Sequence, residues 1–118
     1  MLKDKALENL AAGEELLDRG RVNAGVSRLY YAMFQAAVHR FEVLGVAPRH
    51  VRSGADRWQH TMIAKHARVL RGRATDRDLY NDVMELRVTA DYFDRAVRLE
   101  AVTEHRAQIR DFVRELAR

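Results

Sequence analysis

"VNAGVSRLYYAMFQAAVHRFEVL", residues 22–44, is the stretch that decides the fold. Its apolar positions, Val22, Val26, Leu29, Tyr30, Met33, Phe34, Ala37, Val38, Phe41 and Leu44, recur at three- and four-residue intervals. That is the spacing of a single helical face. Gly45 and Pro48 end the run. A helix this long and this apolar on one side needs other helices to cover it.

The rest of the chain supplies them. A first helix is predicted from about Lys3 to Arg19, with Leu7, Leu10 and Leu17 on one side and Gly20 as its stop. After the turn-rich "APRHVRSGAD", a third helix is predicted over roughly Asp56 to Arg71, making apolar contacts through Trp58, Met62 and Val69. Thr75 reads as the N-cap of a fourth helix, with Asp76 and Asp78 in the first turn, where the helix dipole favours acids. That helix carries Leu79, Val83, Leu86, Ala90, Phe93 and Val97. Thr103 reads as the cap of a short fifth helix bearing Ile109, Phe112, Val113 and Leu116. No strand pattern or internal repeat interrupts the series. The expectation is an all-α, up-and-down bundle of four to five helices, one domain over residues 1–118.

Composition narrows the chemistry. The chain has no cysteine, which excludes disulfides, thiolate zinc sites and a cysteine nucleophile. The start, "MLKDKALENL", is charged and has no apolar core of a signal peptide, and no apolar run is long enough to span a membrane. A cytoplasmic protein is expected. His39, His50, His60, His66 and His105 do not pair at metal-ligand spacing, and no glycine-rich phosphate loop is present. Neither a metal nor a cofactor is expected. The net charge of +4 is unevenly spread: residues 49–77 hold eight Lys or Arg against two Asp. Such a segment either solvates a helix and a loop or draws in a polyanion such as RNA.

A second stretch, "ELRVTADYFD" at 85–94, carries the polar candidates. Arg87 and Asp91 stand at i and i+4, a spacing that permits an ion pair. Arg87 borders the apolar face of its helix as Arg28 borders that of the second. Two such arginines either snorkel from the bundle edge or line one shallow polar groove. Tyr30 and Tyr31 read as core and groove wall.

"RLYYAMFQAA" followed about sixty residues later by "RVTADY", with a histidine in "WQHTMI" between them, resembles the HEPN family over about residues 6–116. The likeness is to a small prokaryotic branch with a YYAMF-type second helix and an R-x-x-A-D-Y fourth helix. It implies a homodimer with a shared cleft, RNA or nucleotide as ligand, and a two-gene toxin–antitoxin-like module with a small nucleotidyltransferase. It also implies metal-independent endoribonuclease chemistry, in which a histidine moves the 2′-hydroxyl proton and an arginine stabilises the phosphoryl transition state. Arg87 stands at the motif arginine. Where the motif histidine would follow, the chain has Tyr92, Phe93 and Asp94. The candidate reacting residues are therefore Arg87, Asp91 and Tyr92, with Arg28, Tyr31 and His60 as ligand-binding residues. A non-catalytic interaction module that partners with or is regulated by the transferase, and a purely structural bundle, are the competing expectations.

Overall fold

The computed structural model describes residues 1–46 and 60–118. It contains five helices: α1 (Leu2–Asp18), α2 (Val22–Val43), α3 (His60–Leu70), α4 (Asp76–Tyr92) and α5 (Leu99–Leu116). No strand occurs among the described residues. The predicted third-helix start at Asp56, Trp58, and the basic residues Arg49, Arg52 and Arg57 lie outside them. The fold is an all-α bundle. No helix among the described residues is long and apolar enough to cross a membrane.

α2 is the hub because it is apolar over more than half its circumference. It packs against each of the other four helices. Leu29, Tyr30, Met33 and Phe41 from α2 meet Ile63 of α3, Tyr80 and Val83 of α4, and Ile109 and Phe112 of α5 in one buried core. At about 25 cal/mol per Å² of apolar surface removed from water, this shared core is the main stabilising term.

α1 and α2 form a tight antiparallel hairpin. Gly20 ends α1 with φ +76°, and Arg21 N–H and Gly20 N–H donate back to the Leu16 and Leu17 carbonyls at 2.8 and 3.0 Å. This paired closure needs a left-handed residue, which glycine adopts without steric cost. The buried strip of α1 is Ala6, Leu10, Gly13 and Leu17. Leu7, expected on this face, is 39% exposed because the strip runs one residue earlier, through the small side chains. Gly13 and Gly25 face each other, each with a leucine of the other helix seated over it.

Two helix boundaries differ from expectation. α5 starts at Leu99, and Thr103 lies inside it, its Oγ1 donating to the Leu99 carbonyl at 2.9 Å. Leu99 to Val102 form its first turn, and Val102 continues the buried strip of Ile109, Val113 and Leu116. α4 stops at Tyr92; Phe93 is extended and 55% exposed. Val97 is buried from the connecting segment, held by its N–H donating to Asn23 Oδ1 at 2.9 Å. Thr75 does stand at the N-cap of α4, but its side chain makes no cap hydrogen bond.

Polar clamps fix α5 in place. Arg40 Nη2 donates to the Glu115 carbonyl at 2.9 Å, satisfying an acceptor that the helix end leaves open, and His39 Nε2 donates to the Arg118 main-chain oxygen just beyond it at 3.1 Å. Arg110 and Arg106 both reach Glu14 on α1, and Arg106 also pairs with Asp18 at 2.8 Å. Burial pushes the Glu14 carboxyl up, but the hydrogen bonds and charges of Arg110 and Arg106 outweigh it and hold it below its ordinary 4.5. As pH falls, the unfolded chain takes up this proton first. The clamp's contribution is therefore complete above 4.5 and is lost as pH drops through the lower folded value. Denaturant midpoints measured from about pH 6 to pH 3 should fall less steeply in Glu14→Gln than in the wild type. Parallel curves would mean the clamp contributes nothing.

Candidate functional site

Helical spacing brings the site together from three elements. Ser27, Tyr30, Tyr31 and Phe34 lie on one side of α2 at i, i+3, i+4 and i+7. Tyr80, Arg87 and Asp91 share a strip of α4, since seven and four residues are close to whole turns. His60 opens α3 against both.

At the centre is Arg87, which is only 9% exposed. Its guanidinium carbon lies 4.9 Å from the Tyr30 ring centroid and 5.8 Å from those of Tyr31 and Tyr92. Cation–π attraction holds it there. Its nearest carboxylate, Asp91, is 3.8 Å away and is itself touched by Ser27 Oγ, which donates at 3.4 Å. Among the described residues no acceptor takes a hydrogen bond from Arg87, and its Nε is fully buried without a partner.

Arg71 shows what a satisfied buried arginine looks like in the same fold. Its Nε and Nη2 donate to the two oxygens of Asp76 at 2.7 and 2.9 Å, and its Nη1 donates to Glu115 at 2.9 Å. It also lies over the Phe112 ring at 5.3 Å. The bidentate fork uses the guanidinium geometry fully. Arg87 has the burial without the acceptors.

Beside Arg87 is a chain of hydroxyl and imidazole groups. Tyr80 and Tyr30 are both fully buried, with their hydroxyl oxygens 3.1 Å apart, and Tyr30 is also hydrogen-bonded to Nδ1 of His60. Burial pushes the Tyr30 phenol up to about 12, against the opposing Tyr80 hydrogen bond and Arg87 charge. Burial likewise holds Tyr80 well above its ordinary value. The half-buried His60 ring packs 4.6 Å from Phe34 and 5.4 Å from Tyr30. Burial first, and then the Arg87 charge, lower its pKa. Imidazole is thus neutral here at physiological pH.

Of the sequence candidates, Arg87, Asp91, Tyr92, Tyr31 and His60 meet around this point. Arg28 faces the other way: it is exposed, and its Nη1 donates to Asn9 Oδ1 on α1 at 3.0 Å. One residue along a helix is about 100° of rotation, so while Ser27 faces Asp91, Arg28 faces α1. Sequence reasoning missed Tyr80 and Ser27. Tyr80 stands seven residues before Arg87, and that repeat was the available signal.

A separate cleft of about 240 Å³ lies at the other end of α4, lined by Arg73, Asp78, Asp82, His105 and Asp111 among others. No grouping of His, Asp or Glu able to hold a metal ion is found among the described residues. Compared with known proteins, the chain matches no family model, no curated protein and no solved structure.

Proposed function

We propose that the Arg87 site binds an anionic group of RNA or of a nucleotide. The wider reading is a cytoplasmic HEPN-type protein of a toxin–antitoxin-like two-gene module. One observation carries it: a buried guanidinium packed on three tyrosine rings with no hydrogen-bond acceptor among the described residues. Buried polar groups are nearly always hydrogen-bonded, and Asp91 at 3.8 Å offsets the charge of Arg87 without taking up its N–H donors, so leaving them unmet is costly unless something else completes them. A phosphate oxygen would supply the missing acceptors, and the exposed rings of Tyr31 and Tyr92 would offer stacking faces for a base. Lys65, Arg68, Arg73 and Arg77 are exposed and would aid capture of a polyanion.

Tyr92 and Phe93 are 71% and 55% exposed beside the site. These rings favour a partner closing over it, either a second copy in a homodimer or, in the non-catalytic alternative, a small nucleotidyltransferase. Light scattering that finds only monomer at micromolar concentration would remove the homodimer.

The binding test is fluorescence anisotropy with a labelled single-stranded RNA. Arg87→Gln should weaken binding by about 10- to 100-fold, the worth of charge-assisted hydrogen bonds. Arg87→Lys should not restore it, because an ammonium cannot present a planar fork. Equal affinity in Arg87→Gln would refute the site. Incubating the same RNA with protein in EDTA separates binding from cleavage.

A further inference from the structure

The tyrosine chain beneath His60 has a direction, and the direction sets what His60 can do. Each tyrosine hydroxyl has one proton to donate and two lone pairs to accept with. Tyr80 is fully buried, and among the described residues its hydroxyl meets only that of Tyr30. If Tyr80 donates to Tyr30 and Tyr30 donates to His60 Nδ1, both buried protons are satisfied. If His60 Nδ1–H donates instead, a proton is stranded: Tyr80's when Tyr30 donates to Tyr80, or Tyr30's when both neighbours donate to Tyr30. An orphaned buried donor is rarer and costlier than an unused lone pair. The first arrangement wins.

We infer that His60 is held as the tautomer with Nδ1 accepting from Tyr30 and the proton on Nε2, so that it serves as a neutral N–H donor to the ligand's anionic group beside Arg87. His60 and Arg87 flank the same Tyr30 ring, His60 at 5.4 Å and Arg87 at 4.9 Å from its centroid. They would grip one phosphate from two sides. The same tautomer has no free lone pair on Nε2, so His60 cannot take the proton of a 2′-hydroxyl. This inference rests on the reading of Arg87 as an anion site and adds the second donor and the chemistry.

Two measurements test it. Long-range ¹H–¹⁵N correlation spectra of histidine-labelled wild type should show His60 Nε2 protonated and Nδ1 bare. Tyr30→Phe, which removes the hydroxyl that donates to Nδ1, should shift His60 toward a mixture of tautomers. In the anisotropy assay with the same RNA, His60→Ala should weaken binding about 10-fold, whereas His60→Gln, whose amide N–H stands near Nε2–H, should stay within about 3-fold of wild type. A proton on Nδ1 in the wild type overturns the inference, as does wild-type affinity in His60→Ala or RNA cleavage in EDTA that depends on His60. If wild type binds no RNA at all, the Arg87 reading falls and the donor role with it, whatever the tautomer.

Discussion

Asp76→Ala is expected to destabilise the protein by about 3–5 kcal/mol, while Arg87→Met changes stability by no more than about 1 kcal/mol. Both substitutions remove one member of a buried or half-buried ion pair, and only the surroundings differ. The Arg71 and Asp76 side chains are 5% and 2% exposed, joined by two short hydrogen bonds. Deleting Asp76 strands a guanidinium in the core with only Glu115 for relief, and an uncompensated buried charge carries the full desolvation penalty. At Arg87 part of that penalty is already present, because Asp91 stands at 3.8 Å and the buried Nε has no hydrogen-bond partner among the described residues. Methionine removes it and fills similar volume against Tyr30; the loss is the cation–π attraction, about 0.5–2 kcal/mol. The partner left behind, Asp91, is 28% exposed on its side chain and can hydrate. Guanidinium chloride denaturation of the two variants gives the comparison directly. If Arg87→Met proves as damaging as Asp76→Ala, then Arg87 is a structural residue and not a ligand site.

That contrast also marks how far the sequence could be read. The α2 stripe made the bundle legible, because ten apolar positions at helical spacing admit no strand. The i, i+4 spacing of Arg87 and Asp91 was legible for the same reason: one helix contains both. What escaped were relations between helices. Asp76 read as an acid favoured by the α4 dipole, yet its carboxylate is the fork partner of Arg71, with Glu115 of α5 as third member. Nothing in the local pattern distinguishes those two roles. Periodicity also misplaced helix ends. Phe93 and Val97 continue the α4 spacing in sequence, but the backbone leaves the helix at Phe93, and Val97 is buried by another route. Likewise the Tyr80–Tyr30–His60 chain joins three helices, and no spacing rule within one helix could show it. Arg28 and Arg87 looked equivalent because each borders an apolar face. The direction of each border depends on which neighbour packs there.

Gly20 and Gly45 were legible as helix stops, but Gly13 and Gly25, inside their helices, have no side chain to contribute to a pattern, and Gly25 carries the second large effect. Gly25→Val should destabilise the protein by about 2–3 kcal/mol. A Cβ at Gly25 would come within 2.9 Å of Leu17 Cγ and Cδ2 and 3.1 Å of the Gly13 carbonyl oxygen; one at Gly13 would meet Leu29 at 2.8 Å. The two helices approach closely enough at this crossing that each leucine occupies the space above the opposing glycine. A glycine in mid-helix costs about 1 kcal/mol relative to alanine, so a small substitution gains some helix propensity against the clash. Valine has lower propensity than alanine and two γ-carbons that cannot retreat, so overpacking dominates. The leucine, unlike the Gly13 carbonyl, can be removed. In a Leu17→Ala background, itself destabilised by about 2–5 kcal/mol, the added cost of Gly25→Val should fall to less than half, because the freed volume receives the new side chain. Strictly additive effects in that double-mutant cycle would show that the clash is with the α1 backbone and that the hairpin must open to accept any side chain at position 25.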